Sequence, residues 1–360
     1  MNKIIFGGGF DPIHLGHINM AKVAKEAIQG EVIFVPAKVA VWKEDSIDKE
    51  HKLNMLKLSI ESEEGFSIDA FELEQEEQPR SYLTVEYFKK KYPKDKLFFL
   101  IGQDQVNSFH LWAKPEVIAS KAQIIYYERP KCAVNQENID RFHMIPIKGP
   151  IVDVSSSEIR DLKSVLVKES VLKYIEDNEL YFINKIKSHL KEKRYLHSLS
   201  VAHLAYNIAK KHGLDYQKAY IAGILHDIAK EIDKAESLVL MKQYYPEYVD
   251  IGAFSYHQFL GAKIAKEEFM VVDEEILGAI MFHTTGKANM SRLEKLIYAI
   301  DKIDPTRGYD STELIKAMEE DVDKGFITVL KANKEYLAKK EIKMHNRLDD
   351  ECTKWYLEQD

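Results

Sequence analysis

Residues 7–17 read Gly7-Gly8-Gly9-Phe10-Asp11-Pro12-Ile13-His14-Leu15-Gly16-His17, and this stretch decides how the first half of the chain is understood. Before it, Lys3-Ile4-Ile5-Phe6 is a short apolar run of the kind that forms a buried parallel strand. After it, Leu15, Ile18, Met20, Ala21, Val23, Ala24 and Ala27 recur at helical spacing, up to Gly30. The stretch is therefore a strand, a glycine-rich turn and the start of a helix. Glycines let backbone N–H groups approach an anion closely, and the positive end of the helix dipole lies at the same place. His14 and His17, three apart in the first helical turn, share one face. The pattern is that of a turn that cradles phosphates.

Working outward, the first half alternates strands and helices. The spacing predicts strands at Val32–Val35, Phe66–Ala70, Leu97–Ile101, Gln123–Tyr127 and His143–Ile147, and helices over Lys49–Ile60 and Thr84–Tyr92. Such alternation specifies a mostly parallel sheet with helices on both faces, whose ligands bind beyond the carboxyl ends of the strands. Two further groups follow apolar runs directly. Gly102-Gln103-Asp104 comes after Ile101, with Trp112 beyond, and Ser155-Ser156-Ser157 with Arg160 comes after Ile151–Val154. A carboxylate so placed can accept from ribose hydroxyls, and an indole can stack on a flat ring, although Trp112 by itself reads first as packing. Hydroxyls at a helix start serve equally as caps, but Arg160 one turn on would face the same anion.

Together these residues resemble the nucleotidyltransferase superfamily, and specifically the nicotinate-nucleotide adenylyltransferases. Gly7-Gly8-x-Phe10-Asp11-Pro12-x-His14-x-Gly16-His17 is similar to the family signature, and Ser155-Ser156-Ser157-x-Ile159-Arg160 to its motif for the ATP phosphates. The resemblance implies a Rossmann-like nucleotidyltransferase fold and transfer of AMP from ATP, with Mg²⁺, to nicotinate mononucleotide. It also implies roles for single residues. His17 would stabilise the α-phosphate, and His14, Lys43 and Arg160 would hold the triphosphate. Gly7, Gly8, Phe10, Asp104, Thr84 and Ser156 would contact nucleotide, and Trp112 would stack on nicotinate. The chain departs from the family at Val41-Trp42-Lys43, where Pro-His-Lys is usual, and at Ser81-Tyr82-Leu83-Thr84, one residue longer than Ser-Tyr-Thr. Lys131 also replaces the glycine after Arg129-Pro130. The first two leave nicotinate and nicotinamide both open as the acceptor base. Tyr174-Ile175-Glu176 and Leu180-Tyr181 resemble the closing helix of that family, expected over Val171–Tyr181.

From about Ile183 the pattern becomes helical throughout, with apolar residues at 3.6 spacing in Tyr195–Ala209, Tyr216–Ile228, Phe259–Ala265, Glu274–Met281 and Leu293–Ile303. On or at the end of these segments stand His197, His226-Asp227, His257, His283 and Asp301. Imidazole and carboxylate ligands suit Mn, Fe, Zn or Ni, and the set exceeds one tetrahedral site. An adjacent His-Asp pair can serve two ions, with Asp227 bridging. His189, His203, His212 and His345 read as surface residues.

The order of these ligands resembles the HD phosphohydrolase superfamily, and more narrowly its bacterial symmetrical diadenosine tetraphosphate hydrolases. Arg194-Tyr195-x-His197-Ser198, Leu225-His226-Asp227-x-x-Lys230, His283-Thr284-Thr285-Gly286 and Asp301-Lys302-Ile303-x-Pro305-x-Arg307 carry the likeness. It implies an all-α HD-domain fold and two divalent metals, iron or manganese, held by His197, His226, Asp227, His257, His283 and Asp301. It further implies hydrolysis of diadenosine tetraphosphate to two ADP, with Asp227 and Lys230 catalytic, and Lys230, Lys287 and Arg307 offsetting phosphate charge. Rival readings give the HD half another nucleotide or phosphate ester, or make it a nucleotide-sensing module.

Composition agrees with this frame. A chain of 360 residues suggests two domains, at roughly 100–200 residues each, and the expected division is 1–183 and 184–360. A formal charge of -7 argues against a general nucleic-acid-binding surface. Cys132 and Cys352 are the only cysteines, which fits a reducing compartment. No apolar run approaches the ~18 residues of a membrane span, and the first residues run straight into a strand, so neither anchor nor signal peptide is expected. The sequence reads as a soluble cytoplasmic protein, compatible with a homo-oligomer.

Overall fold

The computed structural model describes residues 1–38, 47–129, 133–341 and 346–358. Two compact units emerge, one formed by Met1–Arg160 and Leu166–Asn178, the other by Asp161–Val165 and Glu179–Asp360.

The first unit is built on a six-stranded sheet: β1 (Asn2–Gly8), β2 (Glu31–Pro36), β3 (Phe66–Ile68), β4 (Lys96–Gly102), β5 (Gln123–Tyr127) and β6 (Ile145–Ile147). The strand order is β3-β2-β1-β4-β5-β6, with every neighbouring pair parallel. Adjacent residues Ile4 and Ile5 are both wholly buried, as expected of a strand covered on its two faces. One face packs Ile5, Ile33, Val35, Phe99, Ile101 and Ile124 into a core with Phe88 and Phe109. The chain winds to one side of β1 and then returns to β4 on the other, so the topological switch point lies between β1 and β4. The turns leaving these two strands carry Gly8–His14 and Gln103-Asp104.

Some elements depart from the sequence expectation for local reasons. The third strand stops at Ile68 because the Asp69 carboxylate accepts from the Phe71 N–H at 3.0 Å, closing a turn. The helix expected from Thr84 starts at Ser81, just beyond Pro79, and runs to Lys91. The closing helix spans Glu169–Asp177, after which Glu179 and Tyr181 take left-handed backbone (φ 54° and 56°) that no helix continues.

The second unit is helical among the described residues. Its elements include α2 (Glu192–Lys211), α3 (Tyr216–Leu225), α4 (Tyr256–Glu267), α5 (Glu274–Met281) and α6 (Arg292–Ile303), with α1 being Leu15–Ile28 of the first unit. Their starts are set by local side chains. Asp215 accepts from the Gln217 and Lys218 N–H groups, and Asp273 from those of Glu275 and Ile276. Ser291 and Glu294 form a reciprocal capping box. Gly223 lets α3 lie close on α2, since a Cβ there would sit 2.7 Å from the Ala202 Cα. That contact brings the end of α3 towards the face of α2 that carries His197. Beyond Asp310, helices at Thr312–Glu320, Val322–Lys339 and Arg347–Leu357 complete the unit, with Phe326 edge-on to Tyr298 of α6 at 5.5 Å. Among the described residues no helix is long and apolar enough to cross a membrane.

Candidate functional site

In the first unit His14 is the N-cap of α1, and it forms a capping box with His17. Nδ1 of each ring accepts the other residue's backbone N–H at 3.4 Å, and the rings stack with centroids 3.6 Å apart. A neutral imidazole that accepts at Nδ1 keeps its proton on Nε2. Burial, with the Arg129 charge beside it, lowers the His14 pKa to about 4, and burial with His14 and Arg129 holds that of His17 well below the usual imidazole range. Both rings are thus uncharged N–H donors at neutral pH. A Cβ on Gly7 or Gly9 would meet nothing within 4 Å, so the turn faces open space.

The Phe10 side chain lies beneath the turn and does not line it. Its ring is buried edge-on against Phe6, Phe34 and His17, with centroids at 5.4, 5.6 and 5.0 Å, so it props the histidine. The second motif clasps the same turn. Ser156 Oγ donates to the Pro12 carbonyl at 2.9 Å, and Arg160 donates to the Asp11 carbonyl. Asp104 is exposed at the switch point, and Gly102 makes room for it, since a Cβ there would sit 2.5 Å from its Oδ1. Trp112 is half-buried on Phe99 and Phe109. Thr84 stands apart from the cradle: it is 1 % exposed and its hydroxyl donates to Glu72 at 2.6 Å. Lys43, Trp42, Pro130 and Lys131 lie outside the described residues. Arg129, given no role from sequence, stands two residues after the end of β5 and supplies a charge near both imidazoles.

In the second unit His197, His226, Asp227, His257, His283 and Asp301 come together, none exposing more than 6 % of its surface. His197 is on α2 and Asp301 on α6; His226 and His283 follow the ends of α3 and α5; His257 is on α4. Two groups of ligand atoms form, His197-His226-Asp227 and Asp227-His257-His283, and they share Asp227. Its Oδ1 faces His257 Nε2 at 3.2 Å and His283 Nε2 at 3.5 Å, while its Oδ2 faces His226 Nε2 at 3.5 Å and Arg194 at 2.6 Å. Asp301 Oδ1 lies 3.2 Å from His197 Nε2 and 3.5 Å from His226 Nε2, and Arg307 pairs with the same oxygen.

These residues fit divalent cations. Nδ1 of His226 and of His283 donates to the Gly223 and Ile280 carbonyls, each at 2.7 Å, which aims each Nε2 inward. Among the described residues His226 Nε2 is buried without a hydrogen-bond partner. Burial alone would lower the His226 pKa, yet Asp227 and Asp301 raise it to about 9, so the pocket favours positive charge at that nitrogen. Burial drives His283 down to about 3 and lowers His257 too, which leaves lone pairs for a metal. Burial opposes the charge on Asp227 and Asp301, but the surrounding histidines around the one, and Arg307 and Lys302 beside the other, keep both well below the usual carboxylate range.

Lys230 Nζ is 2.9 Å from His257 Nε2 and 3.8 Å from Asp227 Oδ1. Lys287 instead pairs with Glu294 at 3.0 Å and lies over the Phe282 ring. His189, His203 and His212 are half-buried, not surface residues. His189 pairs with Glu268, His203 meets the Tyr220 ring edge-on, and His212 contacts the Glu319 carbonyl. Sequence reasoning passed over Asp304 and Thr306, which occupy the unassigned positions of the Asp301–Arg307 motif. Asp304 Oδ2 is 2.9 Å from His197 Nδ1, and Thr306 Oγ1 is 3.2 Å from it. The signal was an acid three residues after Asp301.

Comparison with known proteins places both units. The cytidylyltransferase-like family model matches residues 5–162, and the HD domain model matches residues 194–306. Over 340 residues the chain is 30 % identical to a Mycoplasma genitalium protein named a probable nicotinate-nucleotide adenylyltransferase/Ap4A hydrolase, covering 91 % of this chain and 96 % of that one. The chain belongs to this adenylyltransferase/Ap4A hydrolase family. Shorter relatives match each half of this family member separately. A nicotinate-nucleotide adenylyltransferase of Bacillus subtilis is 37 % identical over 191 residues, covering 50 % of the chain and 99 % of that protein. A symmetrical bis(5'-nucleosyl)-tetraphosphatase of Halalkalibacterium halodurans is 39 % identical over 158 residues, covering 43 % of the chain and 84 % of that protein.

Proposed function

We propose that the chain is a bifunctional cytoplasmic enzyme with one activity in each of residues 1–183 and 184–360. The first half transfers AMP from ATP to nicotinate mononucleotide, giving deamido-NAD and pyrophosphate. A phosphate oxygen of the acceptor displaces pyrophosphate at the α-phosphorus, so no general base is required and catalysis consists of positioning and charge stabilisation. Nε2–H of His17 would donate to the α-phosphate. His14, the Gly7–Gly9 amides and the remaining N–H groups of Arg160 would hold the triphosphate, which arrives with Mg²⁺, together with Lys43. Asp104 would take the ribose and Trp112 the nicotinate ring. The observation that supports this half is the stacked histidine pair with both Nδ1 atoms engaged, which leaves the ring protons on Nε2.

The second half hydrolyses diadenosine tetraphosphate symmetrically, water entering and two ADP leaving. His197, His226 and Asp301 on one side of Asp227, and His257 and His283 on the other, would hold two divalent ions, iron or manganese. Such a pair supplies charge neutralisation at the phosphates and an activated water. Arg307 and Lys230 would stand over the phosphates. The sharing of Asp227 between two ligand groups supports this half. The deciding experiment is incubation with diadenosine tetraphosphate and Mn²⁺ or Fe²⁺, with the nucleotide products resolved. ADP alone, lost in Asp227→Ala, fits the proposal; ATP plus AMP, or no turnover, overturns it. A parallel assay with ATP and either nicotinate or nicotinamide mononucleotide decides the acceptor.

A further inference from the structure

The two ligand groups that share Asp227 differ in what stands behind them. His197 is held in a fork of carboxylates, with Nδ1 2.9 Å from Asp304 Oδ2 and Nε2 3.2 Å from Asp301 Oδ1. Asp304 is wholly buried, and its Oδ2 also accepts from the Thr306 N–H at 3.1 Å, so its position is fixed. A carboxylate behind a ligating imidazole orients the ring and raises its basicity. The other histidines have weaker support: His226 and His283 lean on neutral carbonyls. His257 contacts Asp227, His283, Thr284 and Lys230, and among the described residues no second carboxylate stands behind its ring. The charges differ as well. On the His197 side, which Asp301 and Asp304 both serve, the cations Arg307, Lys302 and Arg194 pair with carboxylate oxygens, whereas on the other side Lys230 Nζ sits 2.9 Å from His257 Nε2, against the lone pair an ion would use.

We infer that the two subsites load unequally: the His197-His226-Asp301 subsite binds its ion first and tightly, with Asp304 as its positioning residue, and the His257-His283 subsite fills second, against Lys230. The inference rests on the dinuclear reading above. Loading the second subsite then requires Lys230 to turn away from His257, which frees its Nζ for a phosphate.

The test is a Mn²⁺ titration of the chelator-stripped full-length chain, with free Mn²⁺ read by electron paramagnetic resonance. Two classes of one ion each are expected. Asp304→Asn should weaken the tight class by about 10- to 100-fold and leave the weak class in place. Lys230→Met should tighten the weak class by about fivefold or more. His257→Ala should abolish the weak class and spare the tight one. Should Asp304→Asn not fold by circular dichroism, the other two variants decide the matter from the second subsite. Two equal sites in the parent, or loss of the tight class in His257→Ala, would overturn the inference and leave the dinuclear reading standing. Folded parent that binds no Mn²⁺ at millimolar concentration would overturn the dinuclear reading itself.

Discussion

Replacing His14 with Asn should remove a defined portion of the acid sensitivity of the first unit. In the folded chain Nδ1 of His14 accepts the His17 N–H, so a second proton on that ring would break the cap. This agrees with the direction of its pKa, pushed by burial and by Arg129 to about 4 from an unfolded value of about 6.5. With the folded value below the unfolded one, the unfolded chain takes up the proton first. The contribution to stability is therefore present above pH 6.5 and lost as pH falls towards 4. At about 1.36 kcal/mol per pKa unit the full span is about 3 kcal/mol, of which about 2 kcal/mol falls between pH 7 and pH 5. Asn keeps an N-cap acceptor without the titrating ring. The assay is urea unfolding at the two pH values in a Trp355→Phe background, where Trp42 and Trp112 report on the first unit. The parent should lose about 2 kcal/mol more than His14→Asn between pH 7 and pH 5. Equal losses would refute the claim that His14 is held neutral by its cap.

Three other outcomes are expected. His17→Ala should lower kcat for adenylyl transfer by about 10²–10³, the effect of losing one preorganised donor, while diadenosine tetraphosphate hydrolysis persists; Asp227→Ala should do the reverse. A folded variant that loses both activities would show the halves to be coupled. Thr84→Val should cost about 1–3 kcal/mol in denaturant unfolding, because buried Glu72 loses a donor. Unchanged stability with a raised KM for the mononucleotide would instead return Thr84 to the binding site. Removal of divalent metal by chelation should lower the melting temperature of the second unit but not the first, read by calorimetry, since buried Asp227 and Asp301 then lack their cation. Unmoved transitions would count against a metal centre.

The strands and helices near the sites were legible because apolar runs and 3.6-residue periods are local properties. Glu274–Met281 and Lys49–Ile60 have the limits that the spacing predicts. Ends set by tertiary contact were not legible: the helix expected to reach Ile228 stops at Leu225, where the His226 ring takes the Gly223 carbonyl. The six buried histidine and aspartate residues could be picked from their order. Their partners could not, because Asp304 reaches His197 only where the fold brings the end of α6 to α2, and Arg194 reaches Asp227 only where it brings the end of α3 there. Thr84 and Phe10 were misplaced for a related reason. A motif position shows where a residue stands in the chain, whereas the direction of its side chain depends on Glu72 or on the apolar floor beneath the turn.

The carbonyls that orient His226 and His283 have a consequence of their own. Gly223 and Ile280 lie in the last turns of α3 and α5, so the negative ends of two helix macrodipoles converge on the same pocket. Backbone carries part of the attraction for cations there, and it does so whatever side chains line the two helices. Transplanting this centre into another helical protein would accordingly require two helix C-termini bordering one pocket, a condition that grafting four histidines and two aspartates onto helix flanks would not meet.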